Sequence, residues 1–151
     1  MSEHRAQIRW KRSTADFAYQ SYSRAHDMVF KDGKIVLDAS AAPAFLGDPS
    51  RVDPEEAYVA SLSSCHMLTF LAICARKRLT VDTYEDNASG RLEKGETGRL
   101  WLSHVILRPK VVFAPGLEVY TDALARLHHG AHEECFIANS VKTHIAVEPR
   151  L

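Results

Sequence analysis

The chain has 151 residues, 46% hydrophobic and 25% charged, which is the composition of a single globular domain able to bury a substantial core. Lys+Arg and Asp+Glu both count 19, so no basic excess advertises nucleic acid or an anionic membrane surface. The N-terminal MSEHRAQIRWKRS lacks the apolar core of a signal peptide, and the most apolar run, around Leu68 to Ala75, is too short to span a bilayer.

HRAQIRWKR puts Ala6, Ile8 and Trp10 on one face at strand period. MVFKDGKIVLD carries the best hairpin signal, because Asp32-Gly33 can supply the positive φ angles of a tight turn between two short apolar runs. ASAAPAFLGDPSRVD reads as a loop broken by Pro43, Gly47 and Pro49. Asp53 then opens the clearest helix. Pro54 suits its first position, Glu56 completes an Asp-x-x-Glu capping box, and the helix should continue to about Arg78, ending in the basic cluster Arg76-Lys77-Arg78 that complements the dipole. Apolar residues between Ala57 and Ala75 cover nearly the whole circumference, so this helix is expected to be buried on most sides.

LTVDTYEDNASGRLEK and GRLWLSHVILRPKVVF read as strands joined near Gly95 and Gly98, the second with Trp101, Ser103, Val105 and Leu107 on one face. LEVYTDALARLHHGAHEEC reads as a second helix, whose stripe Tyr120, Leu124, Leu127, Ala131 and Cys135 brings Cys135 to the inward side at or just past the helix end. VKTHIAVE closes the chain as a strand. The order strands, helix, strands, helix, strand predicts an α+β fold with mainly antiparallel pairing.

Three cysteines do not make a disulfide framework; a cytoplasmic, reducing setting is expected, in which any disulfide is transient and functional. Cys65 lies twelve residues past Asp53, well beyond the reach of the helix N-terminal charge, and burial alone would raise its pKa. An isolated cysteine there is a core residue by default. Cys135 on the inward stripe of the other helix could approach it.

The segment DPEEAYVASLSSCHMLTFLAICARK resembles the helix of the OsmC/Ohr family, the osmotically induced and organic hydroperoxide resistance proteins. That helix has Pro-Glu at its start and a reactive cysteine ten residues after the Glu, a spacing that Glu55 and Cys65 keep. YSRAH stands where the family places an arginine and points to Arg24. ECFIANSVK stands where it has a second cysteine and points to Cys135, and YEDNASGRLE looks like the family's strand after the helix. The likeness runs from about Tyr22 to Ile145. The flank SCHM resembles the OsmC-type branch and CFIANS resembles neither branch, which points to a further OsmC-like subgroup.

The resemblance implies a thiol-dependent peroxidase acting on organic hydroperoxides, with hydrogen peroxide as a further candidate substrate. Cys65 would attack the peroxide and become a sulfenic acid, and Cys135 would condense with it to a disulfide that a dithiol donor, a dihydrolipoyl group or a small thiol, then reduces. Arg24 would supply the cation, with Glu55 gripping its guanidinium; no metal, flavin or haem is implied. Glu55 and Cys65 stand about 15 Å apart along one helix and point about 80° apart, so a shared site needs a second chain. An intertwined homodimer is therefore expected, each chain one OsmC-like domain over residues 1–151.

The other candidates have plainer readings. Cys74 is core, and His66 a packed or interfacial histidine. His26 would share a strand face with Arg24. His128 and His132 have the i, i+4 spacing of metal ligands, but they read as a solvated helix face. Two other functional classes stay open: a dimeric OsmC-like protein binding a small apolar ligand or acting in stress with little peroxidase turnover, and a metal-dependent hydrolase.

Overall fold

The Asp32-Gly33 turn works as its composition predicts. In the computed structural model, which describes residues 1–150, Lys31, Asp32 and Gly33 take φ of 53°, 53° and 92°. They join strand β2 (His26–Phe30) to strand β3 (Ile35–Ala39) with Phe30 opposite Ile35. Strand β1 (Gln7–Arg9), shorter than the alternation of Ala6, Ile8 and Trp10 suggests, pairs antiparallel with β2 to make a three-stranded sheet. The loop after β3 closes on itself where the Ser40 amide donates to the Val52 carbonyl at 3.0 Å.

Helix α1 (Pro54–Arg76) begins at the predicted capping box. The Glu56 amide donates to Asp53 Oδ1 at 2.7 Å, and the Asp53 amide donates to Glu56 Oε2 at 3.1 Å. Its end is set by the chain's turn rather than by its charges. Arg78 adopts φ of 59°, the Arg78 amide reaches the Ala75 carbonyl, and the Leu79 amide reaches the Cys74 carbonyl at 2.9 Å. That is a Schellman closure, with Arg78 in the left-handed position usually given to glycine.

The expectation that α1 is buried on most sides is corrected. Only Leu62, His66, Phe70, Ile73 and Cys74 are buried, and the opposite stripe, Ala60, Ser64, Leu68 and Ala72, is exposed. The small residues that made the helix look uniformly apolar form a face that one chain leaves uncovered. By length and composition α1 could also cross a membrane, because those small residues extend the apolar run beyond Leu68–Ala75. Its five buried side chains pack against protein.

The two long segments after α1 each bend into two strands: β4 (Val81–Asp86) and β5 (Ser89–Lys94), then β6 (Leu100–Leu107) and β7 (Pro109–Phe113). The bends coincide. Asp86 Oδ1 accepts the Arg108 amide at 2.6 Å, tying the two corners together. β5 and β6 form the hairpin across Gly95 and Gly98, and β4 pairs antiparallel with β7 in a separate sheet. Strand β8 (His144–Val147) adds to β6 in parallel, within sheets that are otherwise mainly antiparallel. Helix α2 (Thr121–Glu134) completes the α+β fold.

By its internal contacts the chain divides into two compact units, Met1–Ala57 and Tyr58–Leu151. In the second, Phe70, Ile73 and Cys74 of α1 pack on Leu127 and Ala131 of α2. Leu62 packs on Val105 and Leu107, which share one face of β6.

Candidate thiol site

Cys65 and Cys135 meet. Cys65 is half-buried at the margin of the inward stripe of α1, and Cys135, 1% exposed, caps the C-terminus of α2. The stripe Leu127, Ala131, Cys135 is the reason: spacings of four place all three on one face, and all three are buried. Tyr120, assigned to the same stripe, is 73% exposed because it precedes the first helical turn. Burial, with the neighbouring Cys65 thiol as the second cause, pushes the Cys135 pKa up to about 11. Cys135 therefore keeps its proton at neutral pH, and its sulfur accepts the Ala138 amide at 3.5 Å. No disulfide links them, and Cys74 is a buried thiol on the other side of α1, its pKa raised by burial.

Two buried histidines lie on the inward faces of the same helices, and one corrects the sequence reading. His128 is not on a solvated face: it is 2% exposed, and its Nδ1 is 3.0 Å from Nε2 of His66, itself 1% exposed. Burial is the main cause that holds both imidazoles near pKa 4, and a neighbouring histidine lowers each further, His132 for His66 and His66 for His128. Asp86, bonded by Ser63 Oγ at 2.5 Å, works weakly in the opposite direction on His66. The signal was present in the spacing, since His128 lies seven residues before Cys135 and so on the same face. Among the described residues no cluster of three or more His, Cys, Asp or Glu side chains is arranged to hold a metal, the His128–His132 spacing included.

Arg24 and Glu55 belong to the first unit. The Arg24 guanidinium donates to the Tyr22 carbonyl at 2.7 Å and to the Tyr19 carbonyl, and lies 4.0 Å from the Tyr22 ring centroid and 4.9 Å from that of Tyr19. Glu55 forms no ion pair with it within the described chain. Arg24 lies before β2, which His26 opens, so the expected shared strand face is corrected, although His26 Nδ1 is 2.8 Å from the Arg24 carbonyl. Both line a cavity of about 690 Å³ walled by Trp10, Phe17, Tyr19 and Tyr22. This aromatic group escaped the sequence reading, although four aromatics within thirteen residues were its signal.

Residues 47–150 match the OsmC-like protein family. No curated protein matches the chain. Among solved structures, an OsmC-like protein of unknown function from Vibrio cholerae is 46% identical, with a TM-score of 0.90, covering 99% of this chain and 100% of its own. An organic hydroperoxide resistance protein from Elizabethkingia anophelis is 15% identical with a TM-score of 0.70, covering 98% and 95%. OhrB of Bacillus subtilis, also an organic hydroperoxide resistance protein, is 18% identical with a TM-score of 0.68, covering 97% and 98%.

Proposed function

The chain belongs to the OsmC-like family, and on that premise we propose that it is a cysteine-based hydroperoxide reductase. The observation that carries this reading is the juxtaposition of the half-buried Cys65 and the buried Cys135, neighbours across α1 and α2. Cys65 is the half-exposed member and acts as nucleophile. Its thiolate takes the distal peroxide oxygen, the O–O bond breaks, and the alkoxide leaves as alcohol after gaining a proton. The sulfenic acid then condenses with Cys135, losing water and forming a disulfide, which a dithiol donor such as a dihydrolipoyl group or a small thiol reduces. Proteins of this fold from Elizabethkingia anophelis and Bacillus subtilis bear hydroperoxide resistance names, which supports organic hydroperoxides as the substrate class.

Arg24 is the proposed cation for the leaving oxygen, oriented by Glu55 of a second chain. The homodimer this requires is supported by the exposed face of α1, with Leu68 at 61% exposure, and by Ile35 and Val36 of β3 at 54% and 52%. The cytoplasm is the proposed location, and the chain is read as one OsmC-like domain. Light scattering of the purified protein is expected to give twice the 16.9 kDa chain mass.

Cumene hydroperoxide is the test substrate. The reduced protein should consume it with loss of two thiols, and Cys65→Ser should abolish both. Equal, slow loss in the two proteins would leave Cys65 as a core residue. One observation favours a second reading, apolar-ligand binding with little turnover: the aromatic cavity in the first unit is large enough for a small organic molecule. In that case an apolar dye would bind equally well to wild type and Cys65→Ser.

A further inference from the structure

The inward face of α1 is apolar at Leu62, Phe70 and Ile73, and that of α2 at Leu127 and Ala131, yet each carries one buried histidine. The two rings are 9° from parallel with centroids 5.3 Å apart. That separation is what a 3.0 Å N···N contact between coplanar rings requires, so the imidazoles meet edge to edge and the N–H of one points along the lone pair of the other. Whichever ring donates, the outer nitrogens, His66 Nδ1 and His128 Nε2, are buried with no hydrogen-bond partner among the described residues. Two apolar side chains would fill this space without leaving polar atoms unpaired. What they would lack is direction: apolar surfaces slide past one another, whereas a linear N–H···N bond fixes both the rotation and the register of two helices.

The bond sits where register matters for the thiols. His66 follows Cys65 directly, and His128 precedes Cys135 by seven residues, two turns that return to the same face of α2. We propose that His66 and His128 are positioning residues for the thiol pair: their hydrogen bond locks α1 to α2 so that Cys65 and Cys135 stand at disulfide-closing distance. Neither imidazole touches the peroxide. The kinetic half of this inference rests on the peroxidase reading, in which the Cys65 sulfenic acid and the Cys135 thiol close with loss of water. The geometric half does not, because oxidised glutathione can close the same disulfide while being reduced to two molecules of glutathione.

The test uses amide side chains that keep or displace the bond. His128→Asn puts a polar atom near Nδ1 and His128→Gln puts it near Nε2, too far out. At position 66 the order reverses: His66→Gln keeps the Nε2 position and His66→Asn falls short. Full-length variants are equilibrated in glutathione redox buffers, and the fraction of Cys65–Cys135 disulfide is read by mass spectrometry. His128→Gln and His66→Asn should lower the equilibrium constant for closure about tenfold, raising the potential by about 30 mV, whereas His128→Asn and His66→Gln should stay within about threefold of wild type. With cumene hydroperoxide the first two should accumulate dimedone-trapped Cys65 sulfenic acid at an unchanged rate of Cys65 oxidation. Equal constants for the two amides at each position would overturn the proposal. A wild type inert to peroxide but showing the glutathione pattern would overturn the peroxidase reading and keep the positioning role.

Discussion

At the scale of single residues, the two thiols have opposite jobs written into their surroundings. Cys65 is half-exposed, while Cys135 is buried and held protonated, with its pKa up at about 11. Under the proposed chemistry Cys135→Ser should still lose the Cys65 thiol to peroxide, but one thiol per chain rather than two, with a sulfenic acid that excess peroxide drives to sulfinic acid. Intact-mass measurement after dimedone would count it, and disulfide closure in that variant would send the assignment to Cys74. Cys65 and Cys135 were legible because their spacing to Glu55 and their place after the second helix resemble a family pattern. His128 was not, because helical spacing shows which residues share a face but a histidine on that face reads as polar until its partner 62 positions away is known. Only the folded pair reveals why it is tolerated there.

At the scale of elements, helix α1 was read correctly at its start and two residues too long at its end. The capping box is local chemistry, written in Asp53 and Glu56. The C-terminus depends on Arg78 turning left-handed, which no arginine advertises. Arg78→Gly should therefore stabilise the protein by about 1 kcal/mol, since glycine adopts that conformation without the Cβ clash. The urea midpoint should rise with the slope unchanged, and an unchanged midpoint would mean that the Arg78 side chain offsets the strain. The long strands after α1 were seen as two rather than four for a related reason. Their bends depend on Asp86 bonding the Arg108 amide across 22 positions, a contact that alternation of apolar residues cannot encode.

At the scale of the whole molecule, the buried histidine pair makes stability depend on acid. Both imidazoles have folded pKa values near 4, below the ordinary 6.5, so they are neutral in the fold and take up protons on unfolding. Their contribution is present in full above pH 6.5 and is lost as the pH falls from 6.5 toward 4. The slope should be about 1.4 kcal/mol per pH unit for each histidine. Urea unfolding at pH 7, 6 and 5 measures it, and a flat stability across that window would show that the pair is not neutral and buried in solution. The α+β class and mainly antiparallel pairing were legible from element order, whereas the uncovered face of α1 was not. Its Ala and Ser residues satisfy burial and exposure equally well.

One further consequence follows from Cys74, the thiol that the proposed chemistry leaves idle. It is 1% exposed among Phe70, Ile73, Leu127 and Ala131, so an alkylating reagent reaches it only when α1 and α2 separate. The molecule thus carries its own clock. In a Cys65→Ser, Cys135→Ser protein, the labelling rate of Cys74 reports how often the interior opens.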